Sequence, residues 1–249
     1  MSFVHLHNHT SYSLLDGACK IPEILDAAMG LNQTALAITD HGNMFGAIEF
    51  YKEAKKRGIK PIIGCEVYVA KRSRFDKQHP IDSEIYHLVL LCENNEGYQN
   101  LMALVSKAWT EGFYNKPRVD RELLKKHSKG LIALSACVAG EIPRAILRSD
   151  YKTAKETALF YKETFGRDNF FLEVQYHGLP EEAEVNAAML RLSKELDIPL
   201  VATNDCHYVN KSDSEMHKVL MCIQTVKTLK SFLSHWKILK KSPTDAMLI

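Results

Sequence analysis

The sequence has no Cys-x-x-Cys pair, although it holds six cysteines: Cys19, Cys65, Cys92, Cys137, Cys206 and Cys222. Several lie inside apolar runs. No secretory leader is recognisable, so a reduced, cytoplasmic compartment is expected. No apolar run approaches the ~20 residues needed to span a bilayer, which argues against a membrane protein. Internal repeats and low-complexity tracts are also missing. Charge of one sign is lacking too, the net value being +2. From Thr225 onward, Lys227, Lys230, Lys237, Lys240 and Lys241 stand against Asp245, a local +4 that leaves −2 for the remainder. The body of the chain is therefore not a generic basic nucleic-acid binder. Any phosphate it handles must be met by a local feature, such as a cluster of bound cations.

What is there is ordinary globular composition, 46% hydrophobic and 25% charged over 249 residues, which suits one large domain. Short apolar runs alternate with helical patterns. Strands are expected at residues 3–6, 35–39, 60–70, 86–92, 131–135, 170–174 and 199–203. Helices are expected at 21–29, with Pro22 in the first turn, at 46–57, closed by Gly58, and at 96–109, 141–148, 151–165, 181–196 and 212–224. Repeated βα alternation implies a parallel sheet covered by helices, and about seven units favour a closed or nearly closed barrel. The one long irregular stretch, residues 71–82, is rich in charge.

The strongest signal is where histidines and acids fall. His5, His7 and His9 alternate in HLHNH at the end of the first strand. Residues two apart in extended backbone face one side, so His7 and His9 could grip one ion together. Asp16 follows in a turn, and His41 comes after the second strand in TDHG. Glu66 lies late in the third, Cys137 after the fifth, and Asp205 and His207 after the last. The C-terminal rim of a barrel gathers such positions into one site. His87 is the exception, because it opens its strand. Either that strand runs against the others or its boundary lies elsewhere.

A lone strand histidine is usually core or surface, and a lone Cys137 is usually a small buried hydrophobe. Nine such residues beside strands are not scattered by chance. Five His, two Asp, one Glu and one Cys suit Zn, Mn or Fe better than Mg or Ca. That set is too large for one ion and suits two or three. Clustered ions point to phosphoester hydrolysis.

HLHNHTSYSLLDG, ITDHGNMFGAIEFYKEAKKRGIKPIIGCEVYV and LVATNDCHY together resemble the polymerase-and-histidinol-phosphatase (PHP) superfamily. YHLVLLCENNEGYQNLMALVSKAW and GLIALSACVAGEIPRAIL are similar to the form that opens bacterial replicative DNA polymerase alpha subunits. The resemblance covers roughly residues 2–229. It implies an α/β fold, a distorted (β/α)7 TIM-like barrel with the metal site at the C-terminal rim of its strands. It implies His7, His9, Asp16, His41, Glu66, His87, Cys137, Asp205 and His207 as catalytic metal ligands for two to three divalent ions. His5 then stands behind the ligands, since many relatives carry Asp there. Asp40 and Asn204 could orient their ligand neighbours or simply cap turns.

The activity implied is metal-dependent phosphoester hydrolysis, in the form of a 3′–5′ proofreading exonuclease. The partners implied are DNA, as a 3′ end or single strand, and either the remaining domains of a polymerase alpha subunit or a separate proofreading exonuclease subunit. The alternatives are a phosphomonoesterase of histidinol-phosphatase type and a non-catalytic, metal-stiffened scaffold. Lys71, Arg72, Arg74 and Lys77 could meet a nucleic-acid backbone, although a solvated loop is the default. Tyr12, Tyr68, Tyr114 and Tyr208 could stack a base or contact a phosphate, with packing as the default.

The match weakens near the end, where TVKTL carries Val226 in place of a common glycine. The expected organisation is a phosphoesterase domain over residues 1–224 and a divergent basic tail, partly disordered, over 225–249. The carboxylates of a polymerase palm are not in the sequence, so no polymerisation is expected of these residues.

Overall fold

The computed structural model describes residues 3–231, so most of the expected tail lies outside the described residues. The strands are β1 (Ala35–Ile38), β2 (Lys60–Ala70), β3 (Ile85–Cys92), β4 (Arg118–Val119), β5 (Leu131–Leu134), β6 (Phe170–Val174) and β7 (Leu200–Ala202). The helices are α1 (Ile21–Gly30), α2 (Ala47–Lys56), α3 (Asn95–Thr110), α4 (Arg121–Lys126), α5 (Glu141–Leu147), α6 (Tyr151–Phe165), α7 (Pro180–Leu196) and α8 (Ser214–Gln224). The helices form where apolar residues recur at helical spacing. In α1, for instance, Ile21, Ile24, Leu25 and Ala28 are buried and a proline occupies the first turn.

The sheet runs β1-β2-β3-β5-β6-β7, with β4 pairing β2 off that path, and curls as a half-barrel. It is mixed, which corrects the expectation of a parallel sheet. β3 runs antiparallel to both β2 and β5. A reversed strand brings its first residues to the rim where its neighbours bring their last. That is why His87 opens its strand and still reaches the rim.

The expected first strand is not a regular one. Residues 5–9 are extended but held through isolated contacts on both sides. Ala37 N and Thr39 N donate to the carbonyls of His5 and Asn8, at 3.0 Å each. His9 N donates to Cys206 O at 2.7 Å, and Cys206 N to His7 O at 3.1 Å. The histidine segment thus lies between β1 and the chain leaving β7, across the open side of the sheet.

Alternation divides the sheet into two faces. On β2 and β3, Cys65, Val67, Val69, Leu88 and Leu90 point outward into the main core under α3, α5, α6 and α7. Val89, Leu91, Ala37, Leu134 and Ala136 form a separate inner cluster. Glu66, Tyr68 and His87 share the inner face with that cluster and stand nearer the rim. A second apolar cluster joins α1 and α2 to β1. Among the described residues, no helix is long and apolar enough to cross a membrane.

In the charged stretch 71–82, Arg74 and Asp82 turn inward while most of the other residues are exposed. Arg74 is 7% exposed and pairs with Asp120 and Glu111. Arg72 pairs with Asp82, and Lys71 with Glu84. Three of the four cations considered for a nucleic-acid backbone are therefore occupied within the fold, and only Lys77 stands exposed without a described ion pair.

Candidate metal centre

Eight of the nine expected ligands converge at the rim. His7 Nε2 lies 3.3 Å from Glu66 Oε1 and 3.2 Å from Asp205 Oδ1, and His9 Nε2 lies 3.0 Å from the same Asp205 oxygen. His41 Nδ1 is 2.5 Å from Glu66 Oε2, and His87 Nδ1 is 3.0 Å from Glu66 Oε1. His41 Nε2 meets Asp16 Oδ2 at 2.9 Å, and His207 Nε2 stands 3.6 Å from Asp16 Oδ1. Three overlapping groups bring their donor atoms within 4.8 Å of one another: His7, His9 and Glu66; His41, Glu66 and His87; and His9, His41 and His207.

These contacts are close, yet several are not hydrogen bonds. The facing atoms His7 Nε2, His9 Nε2, His41 Nδ1, His87 Nδ1, both Glu66 oxygens and Asp205 Oδ1 are buried without a hydrogen-bond partner. Orphaned buried polar atoms are costly and rare. Imidazole and carboxylate lone pairs aimed at common points are what a divalent cation requires. The residues therefore fit metal ions, and the mixed N and O donors suit a transition metal.

The far nitrogens explain how the rings are held. His7 Nδ1 donates to Glu173 Oε1 at 2.7 Å, which leaves Nε2 free to face Glu66 and Asp205. Glu173 Oε1 also accepts from Gln175 Nε2 at 2.9 Å and from the Thr203 hydroxyl. His207 Nδ1 donates to the Asp205 carbonyl at 2.9 Å. Ser13 Oγ donates to Asp40 Oδ1 at 2.7 Å, so His9 Nδ1, 3.2 Å away, is the donor to Ser13. Asp40 thus orients His9, an expected ligand, through a serine. Such outer partners fix both tautomer and direction.

Electrostatics follow the same geometry. Burial alone would lower His7, but the carboxylates of Asp205 and Glu173 hold it well above the usual histidine range. Burial, with His41 and His207 alongside, pushes His9 down to about 3. His41 resists burial through Glu66 and Asp16 and rises to about 10. Burial opposes charge on Glu66 and Asp205, yet the surrounding imidazoles hold both well below the ordinary carboxylate range. Burial and the Glu66 carboxylate raise the Tyr68 phenol, which stays neutral.

Cys137 follows β5 and is partly buried. Burial and the Asp205 and Glu66 carboxylates push its thiol well up. It belongs to none of the three donor groups among the described residues. His5 is buried, 3.6 Å from Cys206 Sγ, and lies apart from the donor groups. The Asn204 carbonyl accepts from His177 Nε2 at 2.7 Å. Left-handed backbone clusters here: Leu15 precedes Asp16 at φ +63°, Ala136 precedes Cys137 at φ +63°, and Asp205 itself has φ +48°. Non-glycine residues in that region carry strain typical of functional sites.

Sequence reasoning passed over Glu173, Ser13 and His217. Glu173 sits in FFLEV, inward by the period-two rule, where a carboxylate in an apolar strand was the available signal. His217 Nε2 donates to the Asp16 carbonyl at 2.9 Å from α8, and no local motif marks it.

A family model described as the PHP domain matches residues 5–177. DNA polymerase III subunit alpha of Treponema pallidum is 53% identical over 228 residues, covering 91% of this chain and 20% of that protein. The same subunit of Borreliella burgdorferi is 51% identical over 224 residues, covering 90% and 19%. That of Thermus aquaticus is 48% identical over 233 residues, covering 92% and 19%. The chain spans about a fifth of the length of these relatives. Among solved structures, a Bifidobacterium adolescentis protein assigned as a metal-dependent phosphoesterase superposes with a TM-score of 0.51 at 14% identity, covering 82% of this chain and 87% of that one. A two-domain Bacteroides vulgatus protein, for which a PHP-like metal-dependent phosphoesterase was predicted, gives 0.51 at 16%, covering 87% and 55%. The likeness in structure extends to the fold, a distorted TIM-like barrel, and the match in sequence is decisive: the chain belongs to the PHP domain family.

Proposed function

We propose that this domain hydrolyses phosphoesters with two to three divalent ions of Zn, Mn or Fe, and that its substrate is DNA, cut at a 3′ end as in proofreading. The observation that carries this reading is the set of buried, partnerless donor atoms on His7, His9, His41, His87, Glu66 and Asp205. The proposed assignment gives His7, His9, Glu66 and Asp205 to a first ion. Glu66, His87 and Cys137 serve a second, and Asp16, His41 and His207 a third. Bound there, such ions would neutralise charge on a phosphoryl group and lower the pKa of a water at the site. Glu173, Ser13 and Asp40 keep the rings turned inward. The apolar layer of Val89, Leu91 and Leu134 closes the site from below. DNA as substrate is supported by the similarity to DNA polymerase III alpha subunits, and the remaining domains of such a subunit are the proposed partners.

The test is digestion of a 3′-labelled single-stranded oligonucleotide by metal-loaded protein, beside a chromogenic phosphomonoester. The double variant His41→Ala, His207→Ala should lose hydrolysis while keeping its circular dichroism spectrum. Activity persisting in that variant, in metal-clean buffer with Mn²⁺ returned, sinks the assignment. Turnover of the monoester alone moves the substrate to small phosphates. Stoichiometric metal without turnover of either points to a scaffold.

A further inference from the structure

Tyr68 stands on β2 two residues beyond Glu66, on the same inner face, and pairs across the ladder with His87. Its ring centre lies 6.1 Å from that of His41 and 5.2 Å from that of His87. The residue is only 5% exposed. A buried tyrosine normally spends its hydroxyl on a partner. Here no described hydrogen bond involves that hydroxyl, and it is not among the atoms sealed from solvent without a partner. The one polar atom of a buried side chain therefore opens onto the rim beside two expected ligands.

The slot that seats the ring is built. Gly42 follows His41 with φ +61°, and a Cβ there would fall 2.9 Å from Pro117 and 3.0 Å from the Tyr68 ring. Trp109 Nε1 donates to the Gly42 carbonyl at 2.8 Å and holds that turn in place. Beyond the ring, the Lys116 ammonium lies 5.3 Å from its centre. Lys116 is exposed and has no described ion pair, unlike Lys71, Arg72 and Arg74. It sits on a tight turn where Tyr114 N donates to Lys116 O at 3.0 Å.

A phosphoryl group entering this site meets three carboxylates, Asp16, Glu66 and Asp205. Groups that only donate are what its oxygens need. We propose that the Tyr68 hydroxyl donates a hydrogen bond to a phosphoryl oxygen of the substrate, with the Lys116 ammonium as the neighbouring cation. This phosphate subsite rests on the phosphoesterase reading of the metal centre. The contact is a hydrogen bond and involves no proton transfer. Packing alone would be served equally well by phenylalanine.

The experiment loads the 249-residue chain with Mn²⁺ and measures metal content, binding of inorganic phosphate by calorimetry, and phosphoester hydrolysis. Tyr68→Phe should keep the parent metal content and bind phosphate about tenfold more weakly, the scale of one hydrogen bond to a charged group. Lys116→Met should weaken phosphate binding about threefold and flatten its salt dependence. Parent-like phosphate affinity in Tyr68→Phe overturns the subsite and leaves the hydrolytic reading standing if the parent turns over. A loaded parent that neither hydrolyses ester nor binds phosphate overturns both. If Tyr68→Phe does not fold, the exposed Lys116→Met decides, and unchanged affinity with unchanged salt dependence overturns the subsite.

Discussion

Two buried polar networks in this molecule use charge in opposite ways. Around Arg118, everything is paired. Its guanidinium is fully buried and donates to the carbonyls of Gly112 at 2.9 Å, Asp82 at 3.2 Å, Arg74 at 3.0 Å and Asp76 at 2.8 Å. Arg74 in turn reaches Asp120 at 3.0 Å and Glu111 at 2.8 Å. At the rim, the facing atoms of His7, His9, His41, His87, Glu66 and Asp205 are also buried, yet they lack partners. Burial of a polar group costs free energy in both places. The first network recovers that cost within the fold and is structural. The second would recover it by binding a cation, as proposed for this rim. Saturation, more than residue type, separates a scaffold from a site.

The comparison breaks most visibly at Arg118. Arg118→Met would leave four buried carbonyls without their donor, a loss of about 3–5 kcal/mol. For a domain of this size the melting temperature should fall by roughly 6–20 °C. The folded fraction should still take up its full complement of metal. A loss under about 1 kcal/mol in thermal unfolding of metal-free protein would mean the network is not the saturated scaffold described.

A smaller effect should appear at the rim when metal is withdrawn. The chelated protein should remain folded, because the apolar clusters on both sheet faces do not depend on an ion. Returning Mn²⁺ at about one hundred times its dissociation constant should add about 2.7 kcal/mol. The same titration on His41→Ala, His207→Ala should show a smaller gain. A melting temperature indifferent to metal in the parent would place the orphaned atoms among ordinary defects.

Much of this contrast was legible in the sequence, and the division is physical. Element type was readable wherever periodicity was strong, as at α6 and β6, whose observed bounds equal the expected ones. The gathering of candidate donors at one rim was readable because His, Asp and Glu, the types that bind metal, are spaced at strand ends. The direction of β3 was not readable, since a strand's alternation is the same read either way. Only the awkward placement of His87 hinted at reversal. The short β4 and α4 were missed, since two and six residues carry too little pattern. Arg74 looked like a solvated loop cation, and Arg118 was passed over, because pairing with Asp120, or with carbonyls some forty residues away, leaves no local trace. Glu173 was hidden for the same reason, its partners His7 and Thr203 lying far off in sequence.

Glu173 sharpens the comparison with the smallest change. It belongs to the saturated class through Oε1, which gathers His7, Gln175 and Thr203, while the ring it holds belongs to the unsaturated class. Glu173→Gln keeps the shape and an accepting oxygen, but removes the charge that raises the basicity of His7. Outer-partner changes of this kind cost 10–100-fold in metal affinity, and the conservative amide should fall near the lower end, about tenfold. Asp120→Asn, an equally conservative change in the Arg74 network, should leave metal affinity unaltered while lowering thermal stability. Competition with a chromogenic chelator reads the first quantity, and calorimetric unfolding of chelated protein reads the second. If both substitutions weaken metal binding alike, the two networks are coupled through β2, and saturation no longer separates them.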